Sequence, residues 1–479
     1  MSNSTGKTSY FSEFKILKHV SKEFWLTNGV QFFDGMAYFS MITVLSLYLT
    51  TNCGFNDVDS GKWVGFFTLF ITAFMFAVGS ICDVIGIKRS FFTGFGLLAI
   101  ARLGLGIAPL QLGGDVLRYT VQALLLIMAL GTAFMTPVTM TSMRRFTSRE
   151  NRATGFNVYY LLMNIGAIIA NALIVDGFRK GIHIGGTTLF KGFGEAGGNL
   201  AIMDFGFVMS LCAALCVVLM NENKYAEESD RIAEGSETKR PLAIFLEVWK
   251  EKAFQKLLLF LVLTIGVRLV FTNQFLVMPK YYTRVLTSDF ELGLANAINP
   301  CIIVLGLIVL IPVINRFATV KLIIVGMAIS ASSLVVMAVP INWILAIPFI
   351  HNLQEAYLFI IVTQILVFAL GELIFSPRFT EYIASVSPPD KVSSYMALSA
   401  LPAFISKPIN GFVSGILISN YCYEGIRPKI ETGNVPYEYS PEFMWLVYLI
   451  LAVLSPIAVI ATRKSITSPT GSTPTTDPK

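Results

Sequence analysis

The sequence predicts an all-α integral membrane protein with 12 transmembrane helices in two six-helix, pseudo-symmetric bundles. Three observations carry that prediction. Of 479 residues, 54% are hydrophobic and 14% charged, with mean hydropathy +0.66, whereas soluble domains carry about a quarter charged residues. Apolar runs long enough to cross a hydrocarbon core, about 20 residues each, recur twelve times. The most charged stretch, 221–254, divides these runs six and six, the layout of transporters built from two repeated halves.

The runs are 24–50, 63–84, 91–110, 117–142, 155–177, 200–220, 256–279, 292–314, 321–345, 354–376, 394–419 and 442–462. Ahead of them, 1–23 reads as a cytoplasmic amphipathic segment. Phe11, Phe14, Leu17 and Phe24 share a helical face, with Lys15, Lys18 and Lys22 elsewhere, the pattern of an interfacial helix. No small-residue cleavage site follows the first run, so no removable signal peptide is predicted. The N-terminal bundle is 24–220, the charged cytoplasmic linker 221–255 and the C-terminal bundle 256–462. Within the linker, 241–254 is predicted to lie as an amphipathic helix on the inner surface. The tail 463–479, rich in Ser, Thr and Pro, is predicted to be disordered. The loop 177–199 holds eight glycines and is predicted to be irregular. Pro137, Pro300, Pro312, Pro402 and Pro408 lie in or near helices, where a membrane tolerates kinks.

The net charge of +6 follows from topology and gives no nucleic-acid signal. With the N-terminus inside, 24 of the 36 Lys and Arg fall in cytoplasmic segments, nine outside, and three (Arg102, Arg268, Lys407) within spans. The positive-inside rule then puts both termini in the cytoplasm of a cell-membrane protein. Cys82, Cys212, Cys216 and Cys301 lie in or at spans. Cys53 and Cys422 fall in outside loops, where an oxidising compartment permits a disulfide. His19, His183 and His351 are scattered and no Cys/His cluster has metal spacing, so neither metal nor cofactor is expected. No nucleophile–base set or phosphate loop suggests an enzyme.

Gly79-Ser-Ile-Cys-Asp83-Val-Ile-Gly86-Ile-Lys88-Arg89 fills the short loop between runs 2 and 3. It resembles the G-x-x-x-D-x-x-G-R-R/K loop of major facilitator superfamily transporters, with Ile87 where that family usually has a base. The resemblance implies a conformational gate. Gly79 permits close helix approach, and Asp83 meets a positive helix end or an Arg in a contact that breaks between states. A fainter counterpart, Asn315-Arg316 through Lys321, lies between runs 8 and 9.

Among the ionisable residues within the runs, five are read as charges near mid-bilayer: Asp34, Arg102, Arg268, Glu372 and Lys407. Each costs roughly 2.5–3.5 kcal/mol near mid-bilayer. Two acids against three bases suggests pairing. In the superfamily's arrangement spans 1, 4, 7 and 10 line the path, so the resemblance puts Asp34, Arg268 and Glu372 on it, with Lys407 close by. Arg102 on span 3 then reads as structural, snorkelling or bonded to a carbonyl. The alternative for the others is a fixed ion pair that sets helix packing.

Gly371-Glu372-Leu373-Ile374-Phe375-Ser376-Pro377 resembles the G-E-L-x-x-S-P segment of the proton-dependent oligopeptide transporter family. Gly155-Phe-Asn-Val-Tyr159-Tyr160-Leu-Leu-Met-Asn164-Ile-Gly166 is similar to its F-Y-x-x-I-N-x-G signature. That family's E-x-x-E-R in span 1 is replaced here by Gln31, Asp34 and Gly35 ahead of Tyr38-Phe39, and span 4 has no lysine. The resemblance implies a proton-driven carrier of a small peptide-like or amino-acid-like solute, working as a monomer in the lipid bilayer. Glu372 exchanges a proton while Arg268 or Lys407 takes a substrate carboxylate. Tyr38, Tyr159, Tyr160, Asn164 and Gln274 supply hydrogen bonds and aromatic walls. Two alternatives stand beside it: a superfamily carrier or exporter without proton coupling, and a receptor-like or scaffold protein that moves no solute.

Overall fold

The structure is a computed structural model that describes residues 20–148, 152–184, 187–226, 252–286, 290–314, 317–386 and 401–467. Each apolar run coincides with a helix or a string of helices. In order these are α1 (Lys22–Thr51), α2 (Asp57–Ile85), α3 (Ile87–Gln111), α4 (Gly114–Arg145) and α5 (Arg152–Ile169). A π-helical turn (Ala170–Val175) leads into α6 (Asp176–Lys180), strands β1 (Ile182–Ile184) and β2 (Thr187–Phe190), then α7 (Gly194–Val218). There follow α8 (Lys252–Leu263), α9 (Ile265–Leu276), α10 (Met278–Val285), α11 (Leu292–Ile314) and α12 (Thr319–Ser332). The chain ends with α13 (Val335–Ala338), α14 (Ile341–Leu345), α15 (Leu353–Val386), α16 (Leu401–Tyr421), α17 (Ile426–Glu431) and α18 (Pro441–Thr467). Among the described residues eight helices are long and apolar enough to cross a membrane, or nine if the pair bent by 51° between Leu263 and Ile265 is one span. The amphipathic segments expected at 11–24 and 241–254, and the tail, fall largely outside the described residues.

By packing, the chain divides into two units: Met1–Ile42 with Phe70–Lys239, and Thr43–Leu69 with Arg240–Lys479. In the first, α3 packs on both α4 and α7. A Cβ added at Gly131 would lie 3.0 Å from the Gly94 carbonyl, so α3 and α4 meet nearly backbone to backbone. In the second, α12 and α15 meet through Gly326 and Gly371, beside an apolar core of Phe254, Leu257, Phe260, Met327, Phe375 and Phe379. The bend after Leu263 has a local cause. Thr264 Oγ1 bonds back to the Leu261 carbonyl at 2.8 Å, and the Val267 amide donates to Ser455 Oγ of α18 at 3.0 Å. A side chain thus enters the helical ladder, a usual origin of kinks.

The glycine-rich loop differs from the expectation of irregularity: it holds an antiparallel hairpin, with Ile182 opposite Phe190 and Ile184 opposite Thr187. Gly181 (φ 103) and Gly192 (φ 74) take left-handed conformations where the hairpin's backbones cross, leaving no room for a Cβ. Phe178 packs edge to face on Phe190, Phe193 and Phe205 at 5.9–6.3 Å. Here glycine serves close approach rather than slack.

In the second unit α2 crosses α16 through two pairs of glycines four residues apart. A Cβ at Gly61 would lie 2.6 Å from the Gly411 carbonyl, and one at Gly415 would lie 2.9 Å from Val58 Cα. Above this crossing Asp57, at the start of α2, accepts from Lys280 Nζ and Arg284 Nη2 of α10, both at 2.8 Å. Lys280 also reaches Ser60 Oγ at 3.2 Å, and Arg284 Nη1 bonds the Cys422 carbonyl at 2.8 Å. Burial pushes the Asp57 carboxyl up, but the Arg284 hydrogen bond and the Lys280 and Arg284 charges outweigh it and hold Asp57 below its ordinary range. Cys53 and Cys422, which the sequence allowed to pair, are free buried thiols.

Two outcomes are expected. Gly411→Val forces the helices apart and costs about 1–3 kcal/mol, as overpacking does, read as a lower melting temperature in detergent. Asp57→Asn leaves the two buried cations with only the exposed Glu424, 3.8 Å from Arg284, as a counter-charge, a loss of about 3–5 kcal/mol. Because the folded-state carboxyl ionises more easily than the unfolded one, its stabilisation is present above the ordinary value of 3.8 and is lost as pH falls through the lower folded value. The melting deficit of Asp57→Asn therefore holds steady from about pH 7 to 5, below the Lys280 amine that burial brings down to about 8, and shrinks on the acid side only below about pH 4.

Candidate substrate and proton site

The sequence-predicted groups fall into both units, and each set stands within its own. In the first, Asp34 on α1 meets Arg102 on α3: Nη2 donates to Asp34 Oδ1 at 3.0 Å. Arg102 is 1% exposed, and its Nη1 donates to Ser210 Oγ at 2.6 Å and to the Gly206 carbonyl at 3.4 Å on α7. Gly206 makes room for the stem, since a Cβ there would lie 3.1 Å from Arg102 Cδ. Arg102 is thus bonded to a carbonyl, as the sequence suggested, but its charge partner is Asp34, which the sequence did not suggest. Tyr38 and Tyr159 lie within electrostatic reach of Asp34. Asn164 is buried and its amide bonds back to the Tyr160 carbonyl at 2.8 Å. Gln31 and Tyr160 are half-buried.

In the second unit Glu372 on α15 accepts from Asn299 Nδ2 of α11 at 3.0 Å. Arg268 on α9 lies within electrostatic reach of Glu372, yet among the described residues no ion pair within 4 Å joins them. Its guanidinium instead sits over Phe379, Phe375 and Phe271, at 4.6, 5.2 and 5.5 Å from the ring centres. Lys407 on α16 lies within reach of Arg268, and among the described residues no acid stands within ion-pair distance of it. Arg268, Glu372 and Lys407 are all half-buried. Gln274 is buried, with no hydrogen-bond partner at Nε2 among the described residues. Beside it Asn410 Nδ2 bonds Asn273 Oδ1 at 2.8 Å and Thr272 Oγ1 at 2.6 Å.

The loop motif is partly described, and the side-chain surroundings of Gly79 and Asp83 lie outside the described residues, as do Asn315 and Arg316. Gly86 takes φ 85 and starts α3. The Lys88 amide donates to Glu222 Oε2 at 2.9 Å, which places a carboxylate at the positive end of α3. Lys88 Nζ donates to the Val218 carbonyl at 3.1 Å at the end of α7, and Arg89 is exposed. Arg145 Nη1 bonds the Glu222 carbonyl at 2.8 Å. Lys88 thus ties together two helices of the same unit.

Sequence reasoning missed Asn299, the three phenylalanines around Arg268, and Asp57 with its two cations. The last had a legible signal: an acid and two bases at the ends of apolar runs 2 and 7. The paired glycines Gly61/Gly65 and Gly411/Gly415 were equally legible as G-x-x-x-G spacings.

Comparison with known proteins bears on this arrangement. No curated protein matches the sequence itself. The fold is similar to a POT family transporter solved in complex with 5-aminolevulinic acid, at TM-score 0.66 and 13% identity over 93% of this chain and 96% of that one. It is similar as well to the peptide transporter POT solved in complex with sulfate, at TM-score 0.65 and 15% identity over 95% and 98%. A structure concerned with substrate recognition in proton dependent oligopeptide transporters gives TM-score 0.65 and 15% identity over 92% and 99%. The family model of the Major Facilitator Superfamily matches residues 27–406. With the helical succession, the paired glycine crossings and this match over most of its length, the chain belongs to the major facilitator superfamily.

Proposed function

We propose that the protein is a secondary active transporter that moves a small peptide-like or amino-acid-like solute by proton-coupled alternating access. One observation carries the reading: Arg268 and Lys407 are half-buried cations that no described acid pairs, while the neighbouring carboxyl of Glu372 is held by a neutral amide. Phenylalanine faces offset about 0.5–2 kcal/mol of the cost of a desolvated guanidinium, less than the several kcal/mol that desolvation costs. The missing counter-charge fits a solute carboxylate. The fold's likeness to transporters solved with 5-aminolevulinic acid and with a peptide conjugate supports a solute bearing both amine and carboxylate.

Proton coupling follows from the same groups. When a solute carboxylate engages Arg268 and Lys407, their field no longer favours the ionised form of Glu372, which then takes a proton. Asn299 suits both forms. Its Nδ2 donates to the carboxylate, and its Oδ1, which has no partner among the described residues, accepts from the protonated acid after the amide turns over. With both termini in the cytoplasm, as the charge distribution predicts, the Asp57 junction faces outside and must part for the solute to enter from that side. Asp34, tied to Arg102, serves on this reading to anchor α1 to α3.

Uptake into proteoliposomes under an inward-acid gradient tests the proposal. Glu372→Gln abolishes gradient-driven uptake of dipeptide or amino acid and spares exchange at equal pH; an unaltered response to the gradient removes Glu372 from coupling. Arg268→Gln and Lys407→Gln each raise the KM for a carboxylate solute by about tenfold or more, the equivalent of one charge-assisted hydrogen bond of about 1.5–3 kcal/mol. The esterified solute, lacking the charge, shows no such loss. Equal loss for both solutes overturns the assignment of the carboxylate to these cations.

A further inference from the structure

The second unit buries another carboxyl that the coupling groups do not use. Glu442, the second residue of α18, is 2% exposed. It accepts a hydrogen bond from the Tyr357 hydroxyl of α15 at 2.9 Å. Aromatic side chains close over it. Tyr281 of α10 packs on Tyr357 at 6.2 Å and on Trp445 at 5.3 Å, and Trp445 packs on Tyr448 at 5.7 Å. Among the described residues no Lys, Arg or His stands within ion-pair distance of it. The titratable groups that face it are Tyr357 from α15, Tyr281 from α10, Cys422 from the end of α16 and Tyr437 from the turn before α18. All are neutral near pH 7, and α13, which also packs on α18, carries no titratable side chain. Hydrogen bonds from Tyr357, Ser440 and the backbone offset part of the cost of burying this carboxylate, but among the described residues no counter-charge stands beside it.

The same cluster adjoins the Asp57 junction. Tyr281 follows Lys280 in α10. Cys422, whose carbonyl holds Arg284 Nη1 at 2.8 Å, lies within electrostatic reach of Glu442, Arg284 and Asp57 alike. We propose that Glu442 is a second proton-binding site, and that its proton decides how firmly the Asp57 junction is held. The proton adds to the carboxyl from water, leaving a neutral acid whose carbonyl oxygen still accepts from Tyr357. When it leaves, the new negative charge competes with Asp57 for Arg284 and loosens the junction. Proton binding stands on the geometry of the cluster alone, and only its use during a transport cycle rests on the proposed function.

The test needs neither solute nor gradient, so its failure is distinct from failure of the transport reading. In detergent-solubilised full-length protein, infrared absorption of protonated carboxyl groups is recorded against pH. The expected result is a band at neutral pH that Glu442→Gln removes and Glu372→Gln leaves in place. A band unchanged by Glu442→Gln overturns the proposal. Tyr357→Phe, which deletes the donor that favours the ionised form, shifts loss of the band to higher pH; a shift to lower pH counts against the assignment. Junction opening is read from alkylation of the buried thiols Cys53 and Cys422 by a maleimide. Comparing wild type with Glu442→Gln at each pH cancels the thiols' own titration. The ratio is expected to rise to about fivefold or more at alkaline pH, a modest coupling between sites, and to approach unity in acid. A ratio of one throughout overturns the link to the junction.

Discussion

A charge taken out of water without a counter-charge is the constraint around which this protein is arranged, and each ionic group answers it differently. Asp57 satisfies two cations at once, with both bonds at 2.8 Å on one carboxyl oxygen. Arg102 spreads its donors over a carboxylate, a hydroxyl and a carbonyl. Arg268 rests on phenylalanine faces, and Glu372 on a neutral amide. The first two arrangements set opposite charges in direct contact and suit lasting structure. The last two leave charge to spare, which suits groups whose partner comes and goes.

That contrast separates the structural ion pairs from the groups proposed for coupling more sharply than their positions along the chain do. Asp34 and Glu372 are both acids within apolar runs and look alike by that measure. Their surroundings differ. Asp34 faces a guanidinium that is itself held from two other sides, so releasing it would strand Arg102 in a buried place. Glu372 can lose or gain a proton while Asn299 remains bonded to it in either form.

Much of the architecture was legible because long apolar runs have one stable solution in a membrane, the helix with all its backbone bonds satisfied internally. The helical runs and the ionisable residues within them follow from that. The hairpin at 182–190 was not legible, because glycines that permit a tight crossing look the same in sequence as glycines that confer looseness. The break after Leu263 escaped notice because it depends on Ser455, whose Oγ takes the Val267 amide from nearly two hundred residues away. The pairing of Asp34 with Arg102 was obscured for a related reason: it depends on Gly206 and Ser210 of a third helix, which carry no charge to draw attention.

The crossing of α2 and α16 has a mechanical consequence. Where Gly61 and Gly65 meet Gly411 and Gly415, two bare backbones touch, with Phe66 and Phe412 edge to face beside them at 5.2 Å. Between the glycines themselves such faces interlock few side chains, so little has to be repacked there for the helices to shift. The ionic cluster of Asp57 with Lys280 and Arg284 ties the rim of the same crossing. On the transport reading, a surface of this kind serves as a shutter whose catch is the Asp57 cluster.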